Sequence, residues 1–80
     1  MTSFIDLEVF VRTVEGGSFS AAARALDITP AAASIAIKRL EHRLSVRLLV
    51  RSTRSLRLTE EGQRYLDSAR LALGALAEGE

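Results

Sequence analysis

The sequence predicts one small, mainly α-helical domain with a two-stranded β-hairpin, followed by a long C-terminal helix. Three observations support this prediction. The length of 80 residues allows a single hydrophobic core. Apolar residues recur at steps of three and four over most of the chain, as on amphipathic helices. Two short runs after residue 45 read instead as strands.

The composition excludes several classes of protein. The chain has no cysteine and a single histidine, His42, so we expect neither a disulfide framework nor a zinc site. The acidic N-terminus does not resemble a secretory signal, and the longest apolar stretch, residues 71–77, is too short to cross a bilayer. We therefore expect a cytoplasmic protein without a membrane partner, and the length excludes most enzymes.

Two amphipathic helices are predicted in the first third of the chain. The first ends at Gly16 and Gly17, where glycine tolerates the left-handed closing conformation. Ser18 can then cap a short second helix that ends near Asp27. The apolar stripe of the first helix is Phe4, Leu7, Phe10, Val11 and Val14, and that of the second is Phe19, Ala22, Ala23 and Leu26.

A third helix begins at Thr29 and Pro30, after a connector of about three residues. Threonine can accept the unpaired amides of a first turn, and the fixed φ of proline suits the first helical position. At 100° per residue, the side predicted to face the core contains Ala33, Ile37, Leu40 and Leu44. The opposite side contains Ala31, Ser34, Ile35, Lys38 and His42.

A basic hairpin and a last helix follow. Residues 46–50 and 55–58 are predicted as strands joined through residues 51–54. Thr59 caps the last helix, and Glu60 and Glu61 complement the positive end of its dipole. Two helices joined by a tight turn, then a hairpin, form a winged helix-turn-helix pattern. We assign residues 1–58 to this domain and residues 59–80 to a linker and dimerisation helix.

Charge is segregated along the chain although the net charge is only +1. Residues 24–57 carry eight basic and two acidic side chains, a net +6, whereas residues 1–23 carry −2 and residues 58–80 carry −3. Charge alone allows a polyanion-binding face or a set of solvated arginines scattered over the surface. The exposed third helix matches the width of the DNA major groove, and a basic wing can reach flanking phosphates, so together they favour double-stranded DNA.

The sequence resembles the N-terminal DNA-binding domain of LysR-type transcriptional regulators over essentially its whole length. The matching residues are Phe10-Val11, Gly17-Ser18-Phe19-Ser20, Ala22-Ala23, Leu26, Ser34, Ile37, Arg39-Leu40-Glu41, Leu44, Val46-Arg47-Leu48-Leu49, Arg51, Arg54, Leu58-Thr59 and Gly62. The resemblance implies sequence-specific DNA binding, dimerisation through the long helix and a C-terminal effector-binding domain. This sequence lacks that last domain, so we expect no small-molecule ligand and no cofactor here.

The sequence departs from the family on the helix that reads bases. Many relatives open this helix with Ser-Gln-Pro, where this chain has Thr29-Pro30-Ala31, and Ile35 stands where relatives often carry a basic or long polar residue. We expect Ile35 and Ala31 to contact thymine methyl groups. The alternative for Ile35 is packing against a neighbouring element or against a dimer or crystal partner. The candidate DNA-binding residues are Ser18, Thr29, Pro30, Ala31, Ser34, Ile35, Lys38, Arg39, Arg51, Ser52, Thr53 and Arg54.

Other polar residues are assigned structural or solvated roles. Capping alone would explain Thr29, and solvation on a helix flank would explain Lys38 and Arg39. We favour structural roles for Arg43, Arg47 and Glu41, because Glu41 lies close in sequence and can neutralise one of the two arginines. Arg57 and His42 are expected to be solvated, and Ser18 and Asp27 are expected in a cap and a turn. We therefore predict no catalytic residues.

The last helix predicts a dimer. Leu66, Ala69, Leu73 and Leu76 repeat at steps of three and four, and Leu71, Ala72 and Ala75 widen the apolar side. The alternative is that this stripe folds back on its own core. A symmetric dimer would bind an interrupted inverted repeat. The alternative function is a winged-helix protein-interaction module that does not bind DNA, and the salt dependence of binding distinguishes the two.

Overall fold

Four helices and a two-stranded antiparallel sheet make up the described residues, 4–51 and 55–79, of the computed structural model. The helices are α1 (Phe4–Gly16), α2 (Phe19–Leu26), α3 (Pro30–Leu44) and α4 (Glu60–Gly79), and the strands are β1 (Leu49–Arg51) and β2 (Leu56–Leu58). The order and type of every element agree with the sequence prediction. The winged helix-turn-helix fold followed by a long helix is therefore confirmed.

The first strand is shorter than predicted because the preceding residues close α3. Ser45 takes the left-handed conformation at φ 57°, and its amide bonds the carbonyl oxygens of Glu41 and His42. The amide of Val46 also donates to the Glu41 carbonyl oxygen, at 3.2 Å. Strand pairing begins only at Leu49, opposite Leu58. Ser45 and Val46 therefore terminate the helix, and residues 47 and 48 connect it to β1 without belonging to the strand.

The helix-turn-helix is fixed by caps at both sides of its turn. Asp27 closes α2 at φ 56°, and the amide of Ile28 reaches back to the Ala23 carbonyl oxygen, at 3.0 Å. Thr29 then opens α3 by accepting the amide of Ala32 on its hydroxyl, at 3.0 Å. The three-residue connector is as predicted.

The inner face of α1 differs from its predicted stripe. Phe10 and Val11 are buried as expected, whereas Phe4 is half exposed. Asp6 and Thr13 are buried instead. The Thr13 hydroxyl donates to the Val9 carbonyl oxygen at 2.7 Å, which satisfies it inside the core. A buried carboxylate at Asp6 needs a charged partner, which α3 supplies.

The N-terminus of α4 is bonded to the base of the hairpin. The amide of Thr59 donates to the Leu48 carbonyl oxygen at 3.0 Å, and its hydroxyl donates to the Arg47 carbonyl oxygen at 2.5 Å. The same hydroxyl accepts the amide of Gly62 at 2.9 Å, which caps the helix as predicted. A Cβ atom on Gly62 would overlap the Leu48 carbonyl oxygen. Glycine is therefore what allows α4 to approach the strand this closely.

The first half of α4 belongs to the domain core. Leu66 and Ala69 are buried in the same cluster as α1 and α3, and Leu73 packs against it. The ring of Tyr65 lies against that of Phe10, with centroids 5.7 Å apart. In the described part of the chain, no helix combines the length and the apolar character needed to span a membrane.

This packing corrects the predicted dimer seam. Leu66 and Ala69 face inward, and of the four seam residues only Leu76 is mainly exposed, at 51%. Leu71, expected at the margin of the seam, is 76% exposed. The seam spacing satisfies the domain's own core first. The apolar residues left exposed for a partner lie in the second half of α4 and are Leu71, Ala72, Ala75 and Leu76.

Candidate nucleic-acid interface

The outer face of α3 is exposed, as the sequence predicts. Ile35 is 58% exposed, and Ala31 and Lys38 are exposed on the same side. Ala33 and Ile37 are buried on the opposite side. This face presents an aliphatic side chain beside a lysine, the chemistry that a thymine methyl group and a phosphate would contact.

Two of the candidate hydroxyls serve as helix caps. Ser18 accepts the amide of Ala21 at 3.0 Å, and Thr29 caps α3 in the same manner. Each bond uses the oxygen as acceptor and leaves the hydroxyl proton for another partner. A capping role and a contact with phosphate are therefore compatible at both residues. Pro30 occupies the first turn of α3 as predicted.

Arg51 connects the hairpin to both helices of the helix-turn-helix. Its Nη2 atom donates to the Ser34 hydroxyl oxygen at 3.0 Å. Its guanidinium lies over the ring of Phe19, with Cζ 4.6 Å from the ring centroid, in cation–π geometry. Phe19 was predicted only as a core residue of α2. The contacts bring α2, α3 and the beginning of the wing onto one surface.

Arg39 has a partner that the sequence analysis missed. Its Nε and Nη2 atoms donate to the two carboxylate oxygens of Asp6, at 2.8 and 2.5 Å. Asp6 is only 2% exposed. The hydrogen bonds that Arg39 donates to Asp6, and then the negative charge of Asp6, raise the pKa of the Arg39 guanidinium above its ordinary value, so the arginine stays charged.

This ion pair joins α1 to α3 and gives Arg39 a structural role. Two of its five N–H donors are engaged by Asp6. Contact with DNA through the remaining donors stays a prediction. Asp6 lies one turn before Phe10, on a face with Val9 and Thr13, so a charged residue on a buried face was the sequence signal for this pair.

Glu41 has the structural role that the sequence favours. Its Oε2 atom accepts the amides of Leu48 and Leu49, at 2.7 and 3.2 Å, and thereby holds the turn between α3 and β1. Arg47 is farther away, with Nε 3.9 Å from the same oxygen. Arg43 and His42 are exposed on α3. Three candidate wing residues, Ser52, Thr53 and Arg54, lie outside the described residues.

Comparison with known proteins identifies the family. Residues 4–63 match the sequence profile described as bacterial regulatory helix-turn-helix protein, lysR family. The chain belongs to the LysR family. The matched region contains α1, α2, α3 and the hairpin, together with the first residues of α4.

Curated LysR-type relatives are transcription regulators. HTH-type transcriptional regulator CrgA of Neisseria meningitidis is 48% identical over 79 residues, which are 99% of this chain and 26% of that protein. HTH-type transcriptional activator AaeR of Escherichia coli is 46% identical over 67 residues, 84% of this chain and 22% of that protein. The chain thus spans about a quarter of the length of these relatives.

Solved LysR-type structures share the fold. A complex of the CbnR DNA-binding domain with DNA has a TM-score of 0.90 at 32% identity, covering 96% of this chain and 88% of that one. Oxidised OxyR of Corynebacterium glutamicum has a TM-score of 0.92 at 33% identity, covering 98% of this chain and 25% of that one. The chain is a LysR-type DNA-binding domain, in a family of transcription regulators and not of enzymes.

Proposed function

We propose that this LysR-type domain binds double-stranded DNA as a homodimer at an interrupted inverted repeat, within a bacterial cytoplasmic transcription regulator. Residues 1–58 carry the DNA-binding surface, and residues 59–80 form the linker and dimerisation helix. The effector-binding function of the family belongs to a region that these residues do not include. No small-molecule ligand is assigned to this part of the protein.

The observation that carries the proposal is the contact between Arg51 and Ser34. It ties the wing to the exposed face of α3, so a helix that fits the major groove and a strand that leads into the wing act on the same side. Thr29, Ala31, Ile35 and Lys38 are the groove-facing candidates on α3. Arg51 is assigned to the DNA backbone or the minor groove, together with Ser52, Thr53 and Arg54.

Selection of bound duplexes from a random DNA pool, repeated at two salt concentrations, tests the proposal. We expect an enriched half-site in two inverted copies and binding that weakens steeply with salt, because phosphate contacts release counterions. Lys38→Gln is expected to weaken binding. Arg12→Gln removes the same charge from α1, where Arg12 pairs with Glu15, and is the matched control. No enrichment, or binding indifferent to salt, would favour the protein-interaction alternative.

The dimer is assigned to the exposed apolar face in the second half of α4. Leu71 and Leu76 are 76% and 51% exposed, and Ala72 and Ala75 are also exposed. A helix of 20 residues is about 30 Å long, comparable to a small domain. Leu66 and Ala69, both buried, lie in its first half, and Leu73 is the next residue packed against the core. A second copy of the same helix would cover Leu71 and Leu76.

Sedimentation equilibrium of Leu76→Glu tests the dimer. We expect the variant to be monomeric at concentrations at which the unmodified chain is dimeric, because a charge would be buried in an apolar interface. Gln63→Glu adds the same charge to another face of α4, near its N-terminus, and is expected to leave the dimer intact. An unmodified chain that is monomeric at high concentration would refute the assignment.

A further inference from the structure

A cleft of about 280 Å³ separates α3 from strand β1. Its apolar lining consists of Ile37 and Leu49, both buried. Its polar lining consists of Lys38, Glu41, Arg47 and Arg51, three cations and one carboxylate. The cleft therefore has an excess of positive charge beside an apolar lining, an arrangement suited to an anion.

The carboxylate in the cleft is already satisfied by the backbone. Glu41 accepts two amides at 2.7 and 3.2 Å, and its side chain is only 16% exposed. Its 3.9 Å separation from the Nε atom of Arg47 is too long for a hydrogen bond. The Arg47 side chain is 72% exposed. The structural pair favoured by the sequence is thus weak, and the exposed Arg47 guanidinium can reach an external partner.

The position of the cleft indicates which anion it receives. When α3 lies in the major groove and the wing lies over the adjacent minor groove, one phosphate backbone must pass between them. The cleft occupies this junction, since Lys38 comes from α3 and Arg51 from β1. Arg51 is held in place by Ser34 and Phe19 before any ligand arrives.

We propose that Lys38, Arg47 and Arg51 form a seat for the backbone phosphate that separates the two grooves, with Arg47 as its additional anchor. A guanidinium can bind two phosphate oxygens at once, whereas lysine acts as a point charge. Glu41 fixes the turn that carries Arg47 and keeps the seat from collapsing. This inference rests on the proposed DNA binding and adds a residue that the helix-turn-helix pattern does not assign to DNA.

Salt titration of an Arg47→Gln variant tests the seat. We expect the slope of log K against log salt to become less negative by about 0.9, the value of one phosphate contact. Between about 50 and 200 mM salt, that single contact accounts for a roughly threefold change in affinity. The loss is expected to be equal on specific and random duplexes, because a phosphate carries no sequence information.

Arg43→Gln is the matched control. Arg43 lies in the last turn of α3 and is exposed, outside the set of described residues that line the cleft. The Arg43→Gln substitution removes the same charge and is expected to leave the slope of log K against log salt unchanged. Equal changes in both variants would indicate diffuse attraction and overturn the seat, as would an unchanged slope for Arg47→Gln. Arg47→Lys keeps the charge, and thermal melting verifies that each variant is folded.

A neutral backbone provides a second readout. Methylphosphonate groups are placed one at a time along each strand of the selected duplex. We expect one position per half-site at which the unmodified chain loses affinity and Arg47→Gln loses no more, since the contact is already absent. If the affinity losses caused by the methylphosphonate and by Arg47→Gln were additive at every position of the duplex, the inference would be overturned, while DNA binding itself would stand. Failure of the unmodified chain to bind any duplex would overturn the proposed function as well.

Discussion

Replacement of either of two glycines of α4 by alanine is predicted to change the free energy of unfolding, with opposite signs at the two positions. A Cβ on Gly62 would overlap the Leu48 carbonyl oxygen and approach the Leu58 side chain. A Cβ on Gly74 would meet nothing within 4 Å. Replacement by alanine removes the flexibility of glycine at both positions. It adds a steric cost only at Gly62.

The magnitudes follow from these surroundings. Gly74→Ala is expected to raise the free energy of unfolding by about 1 kcal/mol, the difference in helix propensity. Gly62→Ala has the same or a smaller gain in helix propensity. This gain is offset by the cost of overpacking, roughly 1–3 kcal/mol. We expect the upper end of that range, because the atom in the way belongs to the backbone of Leu48 and not to a flexible side chain. We expect a net loss of about 2 kcal/mol, or roughly 10 °C in the melting temperature of a domain this small.

Thermal and urea unfolding followed by circular dichroism measures both variants. The protein concentration must be the same, because dimerisation itself raises the melting temperature. DNA binding is expected to weaken in Gly62→Ala, since a displaced Leu48 carbonyl shifts the start of β1, which carries Arg51. Stabilisation of similar size in both variants would refute the argument that close approach requires Gly62.

Three further substitutions test individual contacts. Ile35→Ala is expected to reduce discrimination between bases at a thymine-bearing position by about 1 kcal/mol or more, measured with duplexes that replace thymine by uracil. An unchanged base preference would refute the contact between Ile35 and the thymine methyl group. Asp6→Asn is expected to lower the urea midpoint by more than Glu15→Gln does, because Asp6 is buried whereas Glu15 pairs with arginines at the surface. Arg51→Lys keeps the charge but loses the planar fork, so we expect weaker DNA binding and, in hydrogen exchange, less protected β1 amides; unaltered exchange would contradict the bridging role.

Local patterns predicted the helices well. Ser18, Thr29 and Thr59 each accept the amide of the residue three positions later, so the capping signals marked the true helix starts. Gly17 and Asp27 take the left-handed conformation at the predicted helix ends. Such caps depend on a few neighbouring residues, which is why the sequence alone locates them. The exposed face of α3 followed from periodicity for the same reason.

Contacts between distant residues were beyond the sequence argument. The ion pair between Asp6 and Arg39 spans 33 positions and depends on how α1 crosses α3. Periodicity in α4 indicated an apolar stripe at Leu66 and Ala69 but not what covers it. A pattern of steps of three and four describes burial against the chain's own core as well as burial against a second copy.

The stacking of Arg51 on Phe19 and its bond to Ser34 have a consequence for the duplex. If α3 and the wing enter the DNA grooves as proposed, these contacts fix the spacing between them before an operator is met. Duplexes whose intrinsic twist and minor-groove width match this spacing would bind without deformation. Duplexes with a wider minor groove or a stiffer helix would have to be deformed, at an elastic cost. We therefore expect base preferences to extend to positions that no side chain touches.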